Sequence, residues 1–341
     1  MTRTRLELTR EQILRHRRSV GALDERLSPG PASLQRAAWA GLQDSVPRAA
    51  VLSIHARVNE TRPDTWEDPS LVQLWGPRFA VYVVAAEDLA VFSLGRLSDG
   101  GEGRRRADDL ARRLNDLLDG RRMSCSEAGH AMGVHPNSLR YAAATGTVLI
   151  RWDGARQPPV WTVPRPVVAP RDARLELARR YLHVFGPATP ATFAAWAGIR
   201  PRAAGRAVFD ALGESLTPVR TAVGDAWILT SDEPAFRAAG GPAAPARLLP
   251  SGDAYFLLQG ADRELLVPDS DHRRRLWTPR VWPGAVLVEG ELVGAWRRAQ
   301  TDVTIDSWRR LSRAEREAVE EEAASMPLPG MRQGVRVRWD G

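Results

Sequence analysis

The sequence contains no lysine, a single cysteine and no long uninterrupted apolar run. One cysteine, Cys125, cannot form an internal disulfide, so a reducing cytoplasm is the expected compartment. No segment approaches the roughly 18 consecutive apolar residues of a membrane helix, and no N-terminal stretch combines a charged start with an apolar run. Secretion and membrane insertion are therefore not expected.

Because lysine is absent, all 48 basic residues are arginine, against 41 acidic residues. The net charge of +7 and the pI near 10.6 favour a polyanionic partner, although such a charge can also serve only solubility. Arginine offers planar, bidentate donors to phosphate and guanine. The 43% hydrophobic fraction indicates a globular protein, and 341 residues suggest two or three units.

The familiar signatures of cofactor and metal chemistry are also missing. No P-loop, dinucleotide glycine fingerprint or nucleophile elbow is present. The histidines lack a cysteine partner and an i, i+4 pair beside a glutamate, and they are scattered over positions 16, 55, 130, 135, 183 and 272. We therefore predict no cofactor and no metal, and any enzyme activity would be hydrolytic and built from ordinary polar side chains.

What the sequence does contain is a helix-turn-helix pattern written twice. Each copy has a short helix, a turn glycine and a proline that opens the next helix: Ser124 to Met132, Gly133 and Pro136, then Pro190 to Ala197, Gly198 and Pro201. Glycine adopts positive φ freely, and proline suits the first turn of a helix. A β-hairpin follows each copy, at residues 147–163 around Asp153-Gly154 and at residues 216–230, as a wing would.

The N-terminal third predicts a degenerate version of the same unit. Helices are expected at residues 9–21, 32–42 and 48–58, followed by a hairpin at residues 71–84. Beyond the Ala/Gly/Pro stretch 238–245, strands are expected at 255–258, 264–267, 285–288 and 291–296, and then an acidic helix from Ser312 to Ser325.

These patterns predict an α+β fold of three tandem winged-helix units with a C-terminal β-rich element. The predicted boundaries are 1–97, 98–168, 169–237 and 246–341. Tandem winged helices point to nucleic acid. The expected partner is double-stranded DNA, the expected oligomeric state is a monomer, and the expected location is the cytoplasm, in association with the nucleoid.

Recognition helices are predicted at residues 136–144 and 201–212. Early residues of such helices face the DNA groove, and wing residues reach phosphates. The candidate DNA contacts are Asn137, Arg140 and Tyr141 in one copy, Arg202 and Arg206 in the other, and Arg151 and Arg156 on the first wing. Alternatively, one or both copies are structural and pack against neighbouring elements.

The segment AWAGLQDSVPRAAVLSIHARV, residues 38–58, resembles the AlkZ/YcaQ-like family of tandem winged-helix DNA glycosylases. In that family a Gly-Leu-Gln segment opens a Gln-x-Gln or Gln-x-Asp motif that positions the attacking water. The resemblance extends over nearly the whole chain, including LLVPDSDHRRRLW at residues 265–277 and GELVGAWRR at residues 290–298.

Carried over by position, Gln43 matches the first glutamine, and Ser45 stands where the family has glutamine or aspartate. The middle residue, Asp44, is a carboxylate that could substitute. The alternative interpretation of residues 44–47 is a helix-end turn and cap. His55 and the aromatic residues Trp75, Phe79 and Tyr82 could approach the site, but burial in the core is the more frequent role of such residues.

The resemblance implies a monofunctional DNA glycosylase that excises cationic N7- or N3-alkylated purines, bulky adducts or crosslinks from duplex DNA. Such purines leave readily, so weak general-base chemistry suffices. One alternative is a non-catalytic DNA-binding protein, either a regulator or a lesion-sequestering protein, that lost the second motif residue. Another is a protein-interaction scaffold that never contacts DNA.

Overall fold

Capping side chains set the start of several helices in the computed structural model, which describes residues 5–154, 157–200, 203–328 and 335–340. In each capping box, the first side chain accepts from a backbone N–H of the first turn and the residue three positions later reaches back. The boxes pair Thr9 with Gln12, Ser124 with Glu127, Thr189 with Thr192, and Ser312 with Glu315. The predicted helices near residues 9, 124, 190 and 312 are thereby confirmed.

The helices follow one another along the whole chain. They are α1 (Arg10–Val20), α2 (Pro31–Ala37), α3 (Ala49–His55), α4 (Leu89–Leu94), α5 (Gly101–Leu118), α6 (Cys125–Ala131), α7 (Pro170–Phe185), α8 (Pro190–Ala197), α9 (Ala203–Leu212), α10 (Glu233–Arg237), α11 (Asp262–Leu266), α12 (Ser270–Leu276) and α13 (Arg313–Ala324). Within the described ranges, none of them combines the length and the apolar character needed to cross a bilayer.

Both predicted turn glycines adopt positive φ, 65° at Gly133 and 71° at Gly198. The helix after Gly198 is α9, whereas a 3-10 helix, Pro136–Thr145, follows Gly133. Pro136 occupies the first turn of that helix, and the His135 side chain accepts from the Asn137 backbone N–H. Pro201, predicted to open the second recognition helix, lies outside the described residues.

The strands form three small sheets and one larger sheet in the described part of the chain. The strands are β1 (Leu6–Glu7), β2 (Leu42–Gln43), β3 (Leu71–Trp75), β4 (Val81–Ala85), β5 (Met123–Ser124), β6 (Val148–Ile150), β7 (Pro159–Thr162), β8 (Leu216–Thr221), β9 (Gly224–Leu229), β10 (Ala246–Leu249), β11 (Gly284–Val288), β12 (Glu291–Ala299), β13 (Asp302–Ser307) and β14 (Arg336–Asp340). The three-stranded sheets have the orders β2-β4-β3, β5-β7-β6 and β1-β8-β9, and the five-stranded sheet runs from β10 to β14 in sequence order.

The three predicted hairpins are confirmed as β3–β4, β6–β7 and β8–β9. The N-terminal strand β1 does not join the nearest hairpin. It pairs in parallel with β8, where Leu6 lies opposite Val219.

Two of the predicted C-terminal strands are wrong. Residues 255–258 overlap a 3-10 helix, Ala254–Phe256, and residues 264–267 overlap α11. Apolar runs of four residues fit a buried helical turn as well as a strand, so periodicity alone does not separate the two. The Asp253 side chain favours the helical turn by accepting from the Tyr255 backbone N–H at 2.9 Å. The other two predicted strands are confirmed as β11 and β12.

One large buried hydrophobic cluster contains aromatic residues of α7 and α8 and joins these helices to the rest of the molecule. The Trp196 ring lies 5.0 Å from that of Tyr181 and 5.4 Å from that of Phe185, centroid to centroid. The same buried cluster includes Tyr82 and Phe256. The core is therefore continuous from the N-terminal hairpin to the C-terminal part of the chain.

A buried ion pair fixes α3 to the loop that follows β10. Asp253 accepts from both terminal nitrogens of Arg57, at 2.7 and 2.8 Å, and from the Ser53 hydroxyl at 2.7 Å. The two charged side chains are 4% and 0% exposed. Because both carboxylate oxygens are occupied by donors, the buried charge is compensated.

Replacing Asp253 by alanine leaves the Arg57 guanidinium buried without its counter-ion. We expect Asp253→Ala to lower the free energy of unfolding by about 3–5 kcal/mol in urea titrations. The control is Asp225→Ala, which removes an exposed ion-pair partner of Arg5 and Arg220 and should cost less than about 1 kcal/mol. Equal losses in the two variants would contradict a structural role for the buried pair.

Candidate active site

Gln43 ends the short strand β2 and lies directly opposite Tyr82 of β4. Successive side chains of an extended strand point to opposite faces of the sheet. The Gln43 and Asp44 side chains therefore diverge, and each meets a different set of partners.

The side-chain amide oxygen of Gln43 accepts two hydrogen bonds. Arg78 Nη2 donates to Gln43 Oε1 at 3.0 Å, and the Tyr82 hydroxyl donates at 3.4 Å. On the nitrogen side of the amide lies Gly252, which has a φ of 79°. A Cβ atom at that position would sit only 3.1 Å from Gln43 Nε2, so the glycine leaves the space that the amide occupies.

Two glycines hold the Tyr82 ring. A Cβ on Gly41 would lie 2.9 Å from a ring carbon, and a Cβ on Gly76 would lie 2.7 Å from another. Close backbone approach of this kind requires glycine. Burial raises the pKa of the Tyr82 phenol, so its hydroxyl stays protonated and remains a donor to Gln43.

Arg78 occupies the turn between β3 and β4 with unusual backbone geometry. Arg78 and Phe79 have φ values of 55° and 59°, both in the left-handed region that non-glycine residues rarely adopt. Arg78 Nη1 also donates to the Trp196 carbonyl at 3.4 Å, and its backbone packs against Gly198. The turn glycine after α8 therefore leaves room for the Arg78 main chain, whose left-handed conformation is of a kind common at functional sites.

Asp44 is 1% exposed and lies in the interior. Its Oδ1 accepts from the Ala50 backbone N–H at 3.0 Å, and its Oδ2 accepts from Gln73 Nε2 at 2.9 Å. The first bond satisfies an N–H in the first turn of α3, which agrees with the alternative interpretation of residues 44–47 as a turn and cap, although the N-cap position itself is Arg48. Gln73 in turn bonds the backbone N–H and carbonyl of Trp152 in the β6–β7 loop.

The motif residues thus do not converge on one point. Gln43 meets Arg78 and Tyr82, Asp44 meets Ala50 and Gln73, and Ser45 is exposed. Sequence reasoning did not single out Arg78, Gln73 or Gly252. The only local signal was the Gly-Pro turn of the predicted hairpin, which directly precedes Arg78.

The other side chains considered near the site take different positions. Tyr82 is fully buried, Trp75 packs against the core beneath α5 and α6, and Phe79 lines a cavity. His55 Nε2 lies 3.0 Å from the Ser325 hydroxyl, and burial lowers the pKa of the imidazole to about 3. It is therefore a neutral, hydrogen-bonded histidine at neutral pH.

A cavity of about 920 Å³ is lined in part by Arg78. Its lining includes guanidinium groups, two aromatic rings and a glycine. These residues are Arg78, Arg96 and Arg200, Phe79 and Tyr141, and Gly198. Asp99 also lines it, but its carboxylate is paired with Arg174 at 2.7 Å. The cavity is therefore electropositive.

Arg96 adds to this positive charge because, in the part of the chain that the structure describes, its guanidinium donates hydrogen bonds to backbone carbonyls and to no carboxylate. Nε donates to the Phe92 carbonyl at 3.1 Å, and the terminal nitrogens donate to the carbonyls of Gly76 and Trp75. Burial lowers the pKa of Arg96 to about 10, which still leaves it charged at neutral pH.

The predicted DNA contacts in the first copy occupy different environments. Asn137 is exposed, and Arg140 Nε donates to the Asn137 carbonyl at 2.7 Å. The Tyr141 ring meets the Phe79 ring edge-on at 4.9 Å and lines the cavity. Arg151 pairs with Glu67 at 2.6 Å.

In the second copy, the Arg206 side chain is 74% exposed and pairs with Asp210 on the same helix at 3.1 Å. Arg156 and Arg202, the remaining predicted DNA contacts, lie outside the described residues.

One group of side chains has the composition of a metal site. Ligand atoms of His16, His183 and Asp232 lie within 4.8 Å of one another. His183 Nδ1 bonds Asp232 Oδ2 at 3.0 Å, His16 Nε2 lies 3.2 Å from the His183 carbonyl, and the His16 ring stacks on Phe236 at 3.8 Å. His16 Nδ1 is buried and has no hydrogen-bond partner among the described residues.

The buried Asp44 predicts a pH-dependent contribution to stability. Burial raises its pKa from 3.8 to about 7, against the opposing effect of its hydrogen bonds. The folded protein therefore keeps this proton where the unfolded chain has lost it, so the contribution is complete below pH 4 and is lost as the pH rises to 7.

In Asp44→Asn this dependence is absent. We expect the melting temperature of the variant, relative to wild type, to rise by several degrees between pH 4 and 7 and to level off above pH 7. Thermal melts at half-unit pH intervals measure it, with the exposed Asp225→Asn as control. Parallel curves for Asp44→Asn and wild type would show that Asp44 titrates normally.

The fold of this chain is similar to that of a solved DNA glycosylase structure. A DNA glycosylase of Streptomyces sahachiroi, AlkZ, has a solved structure that superposes with a TM-score of 0.78 over 98% of this chain and 100% of that one. At 20% sequence identity, this likeness shows the fold, and it agrees with the predicted α+β class.

Sequence similarity gives a shorter match. An interstrand DNA cross-link repair glycosylase of Streptomyces sahachiroi is 31% identical over 161 residues, which cover 46% of this chain and 42% of that protein. The aligned segment thus spans less than half the length of the relative it matches.

Residues 37–327 match the family described as DNA glycosylase AlkZ-like. The match includes Gln43, Arg78, Tyr82 and Gly252, the residues that form the site around the Gln43 amide. Because it covers most of the chain, the protein belongs to the AlkZ-like DNA glycosylase family.

Proposed function

We propose that this protein is a monofunctional DNA glycosylase that removes cationic N7- or N3-alkylated purines, including bulky adducts and crosslinks, from duplex DNA. The observation that carries the proposal is Gln43, which stands at the first position of the family motif and is held rigidly by Arg78 and Tyr82. Hydrolysis of the glycosidic bond would leave an abasic site.

The chemistry of such lesions fits the polar groups available. An alkylated purine already carries positive charge, so it leaves with little protonation, and the sugar acquires oxocarbenium character. In the described part of the chain, no carboxylate forms a hydrogen bond with the Gln43 side chain. In this proposal Gln43 places the attacking water, Ser45 adds a polar group at the exposed end of the motif, and Asp44 supports the motif from the interior by fixing α3.

We further propose that the three helix–hairpin segments are tandem winged helices that cup the duplex, and that the protein acts as a monomer on the DNA of the nucleoid. The electropositive cavity and the net charge of +7 support a polyanionic partner. The proposed DNA contacts include the exposed Asn137 and Arg206, the partly exposed Arg140, and Tyr141 at the cavity. Arg151 would replace its ion pair with Glu67 by one with a DNA phosphate. Arg156 and Arg202 complete the set proposed from sequence.

A second candidate is a DNA-binding protein without catalysis. Ser45 favours it, because a neutral hydroxyl replaces the glutamine or aspartate of the family motif.

Base release separates the two candidates. The substrate is duplex DNA with a single N7-methylguanine or a bulkier N7-alkylguanine, and alkali converts each abasic site to a strand break. We expect Gln43→Ala to lower the single-turnover rate at least tenfold while duplex affinity stays unchanged. The control is Gln35→Ala, a half-buried glutamine on α2, with the rate of wild type.

Tight, salt-sensitive duplex binding by wild type without any base release would instead establish the non-catalytic candidate. Absence of salt-sensitive binding would exclude both.

A further inference from the structure

We propose that Gln43 acts through its amide nitrogen, as a hydrogen-bond donor, and that Arg78 is the positioning residue that fixes this orientation. The inference rests on the proposed glycosylase function and assigns the contact with the attacking water to one atom, Gln43 Nε2. In the alternative, the carbonyl oxygen of Gln43 accepts a hydrogen from the attacking water.

The carbonyl oxygen of Gln43 is already engaged. An amide oxygen has two acceptor lone pairs, and Arg78 and the Tyr82 hydroxyl donate to this oxygen at 3.0 and 3.4 Å. The bond from Arg78 is charge-assisted and therefore the stronger of the two. Rotation of the amide by half a turn would place its NH₂ group against the guanidinium, donor against donor, so the hydrogen-bond network selects one orientation.

The nitrogen of the same amide remains available. Within the described residues, no acceptor forms a hydrogen bond with Gln43 Nε2. The adjacent Gly252 presents no side chain, and any Cβ there would intrude to 3.1 Å from the nitrogen. An N–H group of this amide can therefore donate to an incoming oxygen atom.

Arg78 is well placed to hold this orientation. Its backbone is fixed in the left-handed region, its Nη1 is anchored on the Trp196 carbonyl, and Gly198 packs against its main chain. In the part of the chain that the structure describes, Arg78 forms no ion pair with a carboxylate, so its charge is not neutralised. It remains free to polarise the Gln43 amide, which strengthens the N–H groups as donors.

The reaction step follows from this arrangement. A Gln43 N–H group donates a hydrogen bond to one lone pair of a water oxygen. The second lone pair of that oxygen is then directed at C1′ of the sugar that carries the alkylated purine. The C1′–N bond breaks, and its electron pair neutralises the cationic purine. The water oxygen bonds to C1′, and the surplus proton passes to solvent. An electrophilic sugar of this kind needs a positioned water more than a strong base.

The sharpest test is Gln43→Glu. Glutamate has the same shape and keeps oxygen acceptors for Arg78 and Tyr82, but it removes both N–H donors and adds a potential base. We expect the single-turnover rate of base release from N7-methylguanine duplex to fall at least tenfold, with Gln35→Glu unchanged. A rate equal to or above that of wild type would show that the oxygen is the working atom and would overturn the proposal.

Arg78 is tested by graded substitution. With protein in excess and DNA saturated, Arg78→Met should lower the rate at least tenfold, and Arg78→Lys, which keeps one charged donor, should restore part of it. The control is Arg313→Met, which removes an exposed arginine on α13. Equal rates for the methionine and lysine variants would remove Arg78 as the positioning group.

An equilibrium measurement keeps this inference separate from the proposed function. In a double-mutant cycle of Gln43→Ala and Arg78→Met, each of which removes the hydrogen bond between the two side chains, urea unfolding should show a coupling that changes the unfolding equilibrium at least fivefold. Absence of base release from wild type on every lesion tested would refute the glycosylase function. Absence of coupling, whatever the activity, would refute the Arg78–Gln43 arrangement.

Discussion

The buried pair of Arg57 and Asp253 is the interaction on which the site depends. It ties α3 to the loop after β10, and that loop places Gly252 against the Gln43 amide. Asp253 also fixes the following turn through the Tyr255 backbone. Two segments far apart in the chain thus share one compensated charge pair. Because an unpaired charge is costly in the interior, the pairing strongly favours a single arrangement of the two segments.

A second buried carboxylate extends this connection in the other direction. Asp44 holds the start of α3 and, through Gln73, the backbone of Trp152 in the β6–β7 loop. Gly154 of the same loop has a φ of 98° and leaves room for Pro47, which lies between Asp44 and α3. The segment that carries Gln43 is consequently supported from several directions, as a site that must hold a small polar group in one orientation requires.

Local signals allowed much of this structure to be predicted. Capping pairs such as Ser312 and Glu315, and turn glycines such as Gly133 and Gly198, act over a few residues, so sequence alone reveals them. The Gln43 position followed from the family motif. Its partners did not, because Arg78 lies 35 residues away and Gly252 belongs to another part of the chain. The strands predicted at residues 255–258 and 264–267 are wrong because short apolar runs suit either conformation.

The pairing of β1 with β8 has a consequence for biosynthesis. Leu6 and Glu7 are synthesised more than 200 residues before their partners Val219 and Arg220. Until then β1 lacks its partner strand β8. Gly252, which lies beside the Gln43 amide, has not been synthesised either. A nascent chain can therefore form its early helices while the segment bearing Gln43 remains open. The surroundings of Gln43 are therefore complete only after Gly252, which is more than 200 residues further along the chain, has been synthesised.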